Sequence, residues 1–132
     1  LYVKPVLSLL ASNRSDIHGM AHITGGGLTE NIIRVVPEGL GLAIDAASIV
    51  LPPVFAWLKD NGNVADAEMW RTFNCGIGFV LIVPAARAAA VATAIDALGL
   101  AHRPIGRVVT DAGQGERVHI GWRMQRCWPC SR

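Results

Sequence analysis

The chain has 132 residues, 52% of them hydrophobic and 17% charged, with a formal net charge of +2. That length carries one domain with a real core, and that composition excludes a disordered chain. The charge is too small to suggest a nucleic-acid partner, and no apolar run approaches the roughly 20 residues a membrane span needs.

The sequence opens on Leu1-Tyr2-Val3-Lys4, with no initial Met and no signal peptide, and reads as the interior of a longer protein. Pro5 to about Ser12 is predicted helical, with Val6, Leu7, Leu9 and Leu10 apolar and Pro5 suited to a first turn. Asn13 to Asp16 is a polar turn, and Ile17 to Thr24 a strand candidate. Along an extended run side chains alternate, so Met20, His22 and Thr24 share one face.

Gly25, Gly26 and Gly27 follow, and then a second helix from Thr29 to Val36, ended by Pro37-Glu38-Gly39. Without Cβ atoms this loop can take φ > 0 and admit a ligand closely. Its N–H groups, turned inward ahead of a helix, make a cradle for an anion such as phosphate. The alternative is a tight strand-to-helix turn without a ligand. His22 and Thr24 reach the same side as the loop, which adds weight to the phosphate reading. No Gly-Lys-Ser/Thr follows, so this is not a Walker A loop.

Leu40 to Asp45 is a short strand, and Pro52-Pro53 starts a helix whose apolar stripe is Val54, Phe55, Trp57 and Leu58, stopped at Asn61-Gly62-Asn63. Ala65 to Arg71 is a helical turn. The second dense polar cluster is Arg71-Thr72-Phe73-Asn74-Cys75-Gly76-Ile77-Gly78. Arg71 offers a bidentate fork for phosphate or carboxylate, Asn74 can read an amide or base edge, and Gly76 keeps the backbone bare. The competing reading is a loop whose Arg pairs with a nearby acid and whose glycines serve a bulge. Cys75 reads as a small buried residue, since nothing in the sequence supplies an activating base.

Ile77 to Val83 is an unbroken apolar run, expected to be a strand covered on both faces. Ala85 to Leu98 is a helix with Gly99 as its C-terminal stop. Ile105 to Thr110 and Arg117 to Ile120 are two further strands. The alternation predicts an α/β layered fold, a mixed sheet flanked by helices. One domain over residues 1–120 is expected, with 121–132 an atypical, disordered and dispensable tail. Residues 1–120 hold nine basic and ten acidic side chains, so Arg123, Arg126 and Arg132 supply the net positive charge. Cys127-Trp128-Pro129-Cys130 has the spacing of a redox pair or half a zinc site, but no helix follows and a fourth zinc ligand is missing. No metal ligand set emerges from His18, His22, Asp16 and Asp45. An odd count of three cysteines points to a reducing, cytoplasmic setting.

Taken together, Leu1 to Lys4, Ala21 to Asn31 with Arg34-Val35 and Pro37, Pro53-Val54-Phe55 with Trp57-Leu58, and Met69 with Arg71 to Gly78 resemble the phosphoribosylformylglycinamidine cyclo-ligases, the aminoimidazole ribonucleotide synthetases of purine biosynthesis. The resemblance spans about residues 1–120 and implies a C-terminal domain fragment. It implies ATP-driven ring closure of formylglycinamidine ribonucleotide, with ATP and Mg²⁺ as cofactors. It further implies an absent N-terminal domain carrying much of the ATP site, and a homodimer in the complete enzyme. Under it His22, Arg71 and Asn74 are the catalytic candidates. Thr24, Gly25, Gly26, Gly27, Asn31 and Gly76 are the candidates for substrate or phosphate binding. Thiamine monophosphate kinase, selenophosphate synthetase and formylglycinamidine ribonucleotide synthetase share the two-domain plan but lack the Arg71 to Gly76 run. A non-catalytic fragment that binds a phosphometabolite or a partner domain is the alternative from another class.

Overall fold

A computed structural model describes residues 1–111 and 115–121. The expectations for residues 122–132, including Cys127 and Cys130, fall outside the described residues. Among the described residues, five α-helices and five strands follow one another along the chain, mostly in turn. Helix α1 (Val3–Asn13) buries Leu9. Strand β1 (Gly19–His22) leads through the glycines into α2 (Gly27–Ile32), which tightens into a 3₁₀ turn at Ile33–Val35. Strand β2 (Leu40–Asp45) is followed by α3 (Pro53–Gly62) and α4 (Asp66–Thr72). Strand β3 (Phe79–Ile82), α5 (Ala88–Ala97), β4 (Gly106–Thr110) and β5 (Val118–Gly121) complete the order.

The strands form two sheets. One is the antiparallel pair β1–β3, in which His22 faces Phe79. The other is mixed, in the order β4-β2-β5, with β2 antiparallel to β4 and parallel to β5. Helices flank both, so the α/β layered class holds. Strand β2 is central and its Gly41–Ile44 are all buried, as its near-continuous apolar sequence demands.

Several boundaries differ from the sequence reading. The helix expected over Thr29 to Val36 begins two residues earlier and is short, because its last turn is 3₁₀. The apolar run from Ile77 to Val83 holds a strand of four residues, all only half-buried. It is not covered on both faces. Among the described residues β3 pairs only with β1, and an open groove of about 830 Å³ runs beside it between α1, α5 and β4. Val6, Leu9, Leu81, Ile95, Ile105 and Val108 line that groove. Strand β5 extends through Gly121, one residue into the expected tail. No helix among the described residues is long and apolar enough to cross a membrane.

One core joins the two sheets. Ile23 at the end of β1, Leu28 and Ile32 on α2, Leu42 and Ile44 on β2, Met69 and Trp70 on α4, and Val118 on β5 belong to a single buried cluster. Arg117 ties the strand starts together. Its guanidinium donates to the carbonyls of Val36 at 2.9 Å, Pro37 at 2.6 Å and Leu40 at 2.9 Å. It thereby satisfies acceptors left at the end of the 3₁₀ turn.

Leu28 is completely buried among these groups. Leu28→Ala is expected to cost about 2–5 kcal/mol, lowering the urea midpoint of the chain without changing its slope.

Candidate functional site

The two polar clusters flagged in the sequence lie side by side. The Ile23 N–H donates to the Gly78 carbonyl at 2.9 Å, and α2 packs along α4. The alternation along the strand end is as read. Ala21 and Ile23 point into the core, while His22 and Thr24 are exposed.

The glycine loop has its own internal reasons for glycine. Gly26 and Gly27 have φ of +92° and +56°. A Cβ on Gly27 would collide with the Trp70 carbonyl at the end of α4, so α2 approaches α4 only because that atom is missing. Gly25 is different. It is exposed, its φ is not positive, and beyond its own chain neighbours no heavy atom stands within 4 Å of where its Cβ would be.

Asn31 is the buried polar residue behind the loop, 6% exposed. Its amide nitrogen donates to the carbonyls of Gly27 at 2.8 Å, Gly25 at 3.1 Å and Thr24 at 3.4 Å. Its oxygen accepts from the Thr24 hydroxyl at 3.5 Å. Asn31 therefore shapes the loop from inside, and does not face solvent beside a ligand.

Arg71, at the end of α4, leans onto the loop. Its Nε stands 3.5 Å from Glu30 Oε1, and a terminal nitrogen 3.9 Å from Glu68 Oε1. All three side chains are at least half exposed, so each pair is worth at most about 1 kcal/mol. Glu30 also covers Gly26, whose Cβ would lie 2.7 Å from Glu30 Oε2. The sequence reading missed Glu30, although an acid in the first turn of a helix after glycines is a visible signal.

The segment after Arg71 turns sharply. Cys75 and Gly76 have φ of +50° and +87°. The Asn74 side-chain oxygen accepts from the Gly76 N–H at 3.0 Å, which leaves its NH₂ group as the donor available to a ligand. A Cβ on Gly76 would sit 2.6 Å from Pro52 Cγ, so packing already requires glycine there. Cys75 is fully buried, and its thiol donates to the Met69 carbonyl at 3.4 Å. Burial pushes that thiol up to about 11, the opposite of an activated nucleophile.

His22 ends β1 with its ring against Tyr2, at a centroid distance of 5.9 Å, and near Phe79 at 6.3 Å. Among the described residues no group of three His, Cys, Asp or Glu is placed to hold a metal ion. Asp16 instead pairs with Arg87 at 2.8 Å, and Asp45 accepts from the Ala47 N–H at 3.0 Å.

Two outcomes follow from this geometry. Asn31→Ala strips the buried donor from the loop carbonyls and is expected to cost about 1–3 kcal/mol in a urea melt. The Cys75 thiol is expected to resist alkylation by iodoacetamide at pH 8 in the folded chain and to react fully in urea, read by mass spectrometry of its peptide.

Comparison with known proteins gives this geometry its context. Residues 1–119 match the family model described as AIR synthase related protein, C-terminal domain. A phosphoribosylformylglycinamidine cyclo-ligase of Xanthomonas campestris pv. campestris is 68% identical over 121 residues, covering 92% of this chain and 35% of that protein. The corresponding proteins of Xanthomonas oryzae pv. oryzae and Xylella fastidiosa are 69% and 62% identical, over 91% and 92% of this chain and 35% and 34% of their own lengths. The chain thus spans about a third of the curated relatives it matches. It belongs to the family of AIR synthase related proteins, as their C-terminal domain.

Proposed function

We propose that this chain is the C-terminal domain of a phosphoribosylformylglycinamidine cyclo-ligase, the enzyme that closes formylglycinamidine ribonucleotide to aminoimidazole ribonucleotide with ATP in purine biosynthesis. The observation that carries this reading is the 68% identity to a relative of that name along 92% of the chain. The complete enzyme is then a cytoplasmic homodimer whose remaining two thirds supply the other half of the active site.

The residues on this chain suit an anionic substrate. Gly25 has open space where a side chain would stand, so a phosphate can approach its backbone closely. Arg71 reaches the same loop. Its pairs with Glu30 and Glu68 are exposed and weak, whereas a charge-assisted hydrogen bond to phosphate is worth about 1.5–3 kcal/mol. An arriving phosphate therefore draws Arg71 away from Glu30, and Glu30 must swing off Gly26 to admit it. ATP, when bound, supplies the phosphoryl group that converts the formyl amide oxygen into a leaving group. His22 and Thr24 line the cleft, the Asn74 NH₂ orients the substrate, and Arg71 neutralises developing charge. Gly26, Gly27, Gly76 and Asn31 hold the two loops in shape. Among the described residues no group of three His, Cys, Asp or Glu is placed to hold Mg²⁺.

The test is a chimera in which the matching 121 residues replace their counterpart in the Xanthomonas campestris relative. Aminoimidazole ribonucleotide is expected from the chimera and not from the 132-residue chain alone. Arg71→Ala in the chimera is expected to lower kcat/KM by roughly 10–100-fold, the equivalent of one charge-assisted hydrogen bond. Gly25→Val is expected to do the same without lowering the melting temperature. A folded, inactive chimera, or full activity in both variants, would overturn the proposal.

A further inference from the structure

We infer that Tyr2 is a positioning residue that holds the His22 imidazole at the mouth of the glycine loop, an inference that rests on the reading of His22 as a site residue. Being exposed at a strand end, His22 would sample several rotamers if nothing touched its ring. The structure supplies two ring contacts. Tyr2 meets His22 edge-on, with centroids 5.9 Å apart and planes at 62°. Phe79, the cross-strand neighbour of His22 in the β1–β3 register, stands 6.3 Å away. Tyr2 and Phe79 are themselves 5.4 Å apart, so the three rings close a triangle. Edge-to-face contacts of this kind select orientation as well as burying area.

Tyr2 is in turn fixed from three directions. Its carbonyl accepts the first hydrogen bond of α1, from the Val6 N–H at 2.9 Å. Its ring lies against Phe79. Its hydroxyl occupies the space a Cβ on Gly78 would take, and the ring atoms Cζ and Cε2 would lie 2.8 and 3.0 Å from that Cβ. Gly78 has no positive φ to account for its glycine. The tyrosine does account for it: any side chain at 78 expels the ring. The start of α1, the glycine before β3 and the end of β1 thus act on one imidazole. A reacting group displaced by an ångström loses much of its rate, which is what such a support prevents.

The experiment reads His22 directly. Its ring protons are assigned among the four histidines of the 132-residue chain by comparison with His22→Asn. The expected result is a Tyr2–His22 ring nuclear Overhauser effect and upfield-shifted His22 protons. Tyr2→Leu should remove both, Tyr2→Phe should keep both, and Gly78→Ala, which leaves both rings chemically intact, should shift the His22 protons as Tyr2→Leu does. Absence of the Overhauser effect in the parent chain, or His22 shifts unmoved in Tyr2→Leu, would refute the inference. In the chimera, Tyr2→Leu is expected to lower kcat about tenfold with little change in KM, and Tyr2→Phe to restore it. Full turnover in Tyr2→Leu with loss in His22→Asn would overturn the role of Tyr2 and leave the site reading standing. Full turnover in His22→Asn would overturn the site reading itself.

Discussion

The rest of this domain depends on how closely α2 approaches α4. No Cβ fits between Gly27 and the Trp70 carbonyl, so the helices meet with backbone against backbone. That contact buries Leu28 and Met69 completely and sets Trp70 into the core. It also fixes the distance between two loops that are more than forty residues apart in sequence. Arg71 follows Trp70 directly, and the glycines lead directly into α2, so a packing contact becomes the spacing of two polar loops.

Two kinds of interaction then divide the labour at these loops. The buried ones hold shape. The Asn31 amide is out of water and bonded to the loop carbonyls, so losing it leaves desolvated acceptors. The left-handed turn at Cys75 and Gly76 is held by the Asn74 oxygen and by a thiol that burial keeps protonated. The exposed ones are exchangeable. Glu30, Glu68 and Arg71 pair in solvent, where an ion pair gains little and can be traded for a better anion. Under the proposed function, a backbone cradle with a loosely committed arginine above it would suit the uptake and release of a phosphate.

The two sheets carry this arrangement unequally. Strand β2 is paired on both edges and buried, with Arg117 stapling its start to the preceding turn. The β1–β3 pair is shorter and half-buried, yet it carries His22 and leads into Gly25. Its order is reinforced by side chains rather than by further strands: the Tyr2, His22 and Phe79 rings cap its end.

The sequence by itself determined what local periodicity and local backbone geometry control. The central strand Leu40 to Asp45 was readable to the residue, because an apolar run between turn signals has one extended reading. The stop of α3 was readable to within Asn61-Gly62-Asn63, although the helix runs through Gly62 and it is Asn63 that turns left-handed, and the stop after α5 was readable at Gly99. The outward face of His22 and Thr24 followed from period-two alternation, and two long ordered motifs carried the family resemblance. Only the tertiary structure decided which groups meet. The apolar run at 77–83 looked like a doubly covered strand, but coverage depends on neighbours that periodicity does not name. Asn31 had the chemistry of a ligand contact, and only folding turned its amide inward onto the loop. Glu30 on Arg71, Tyr2 on His22 and Arg117 across the strand starts join residues 20 to 81 positions apart. Such pairs leave no periodic trace in a single sequence, because chain reversal and packing, not spacing, bring them into contact.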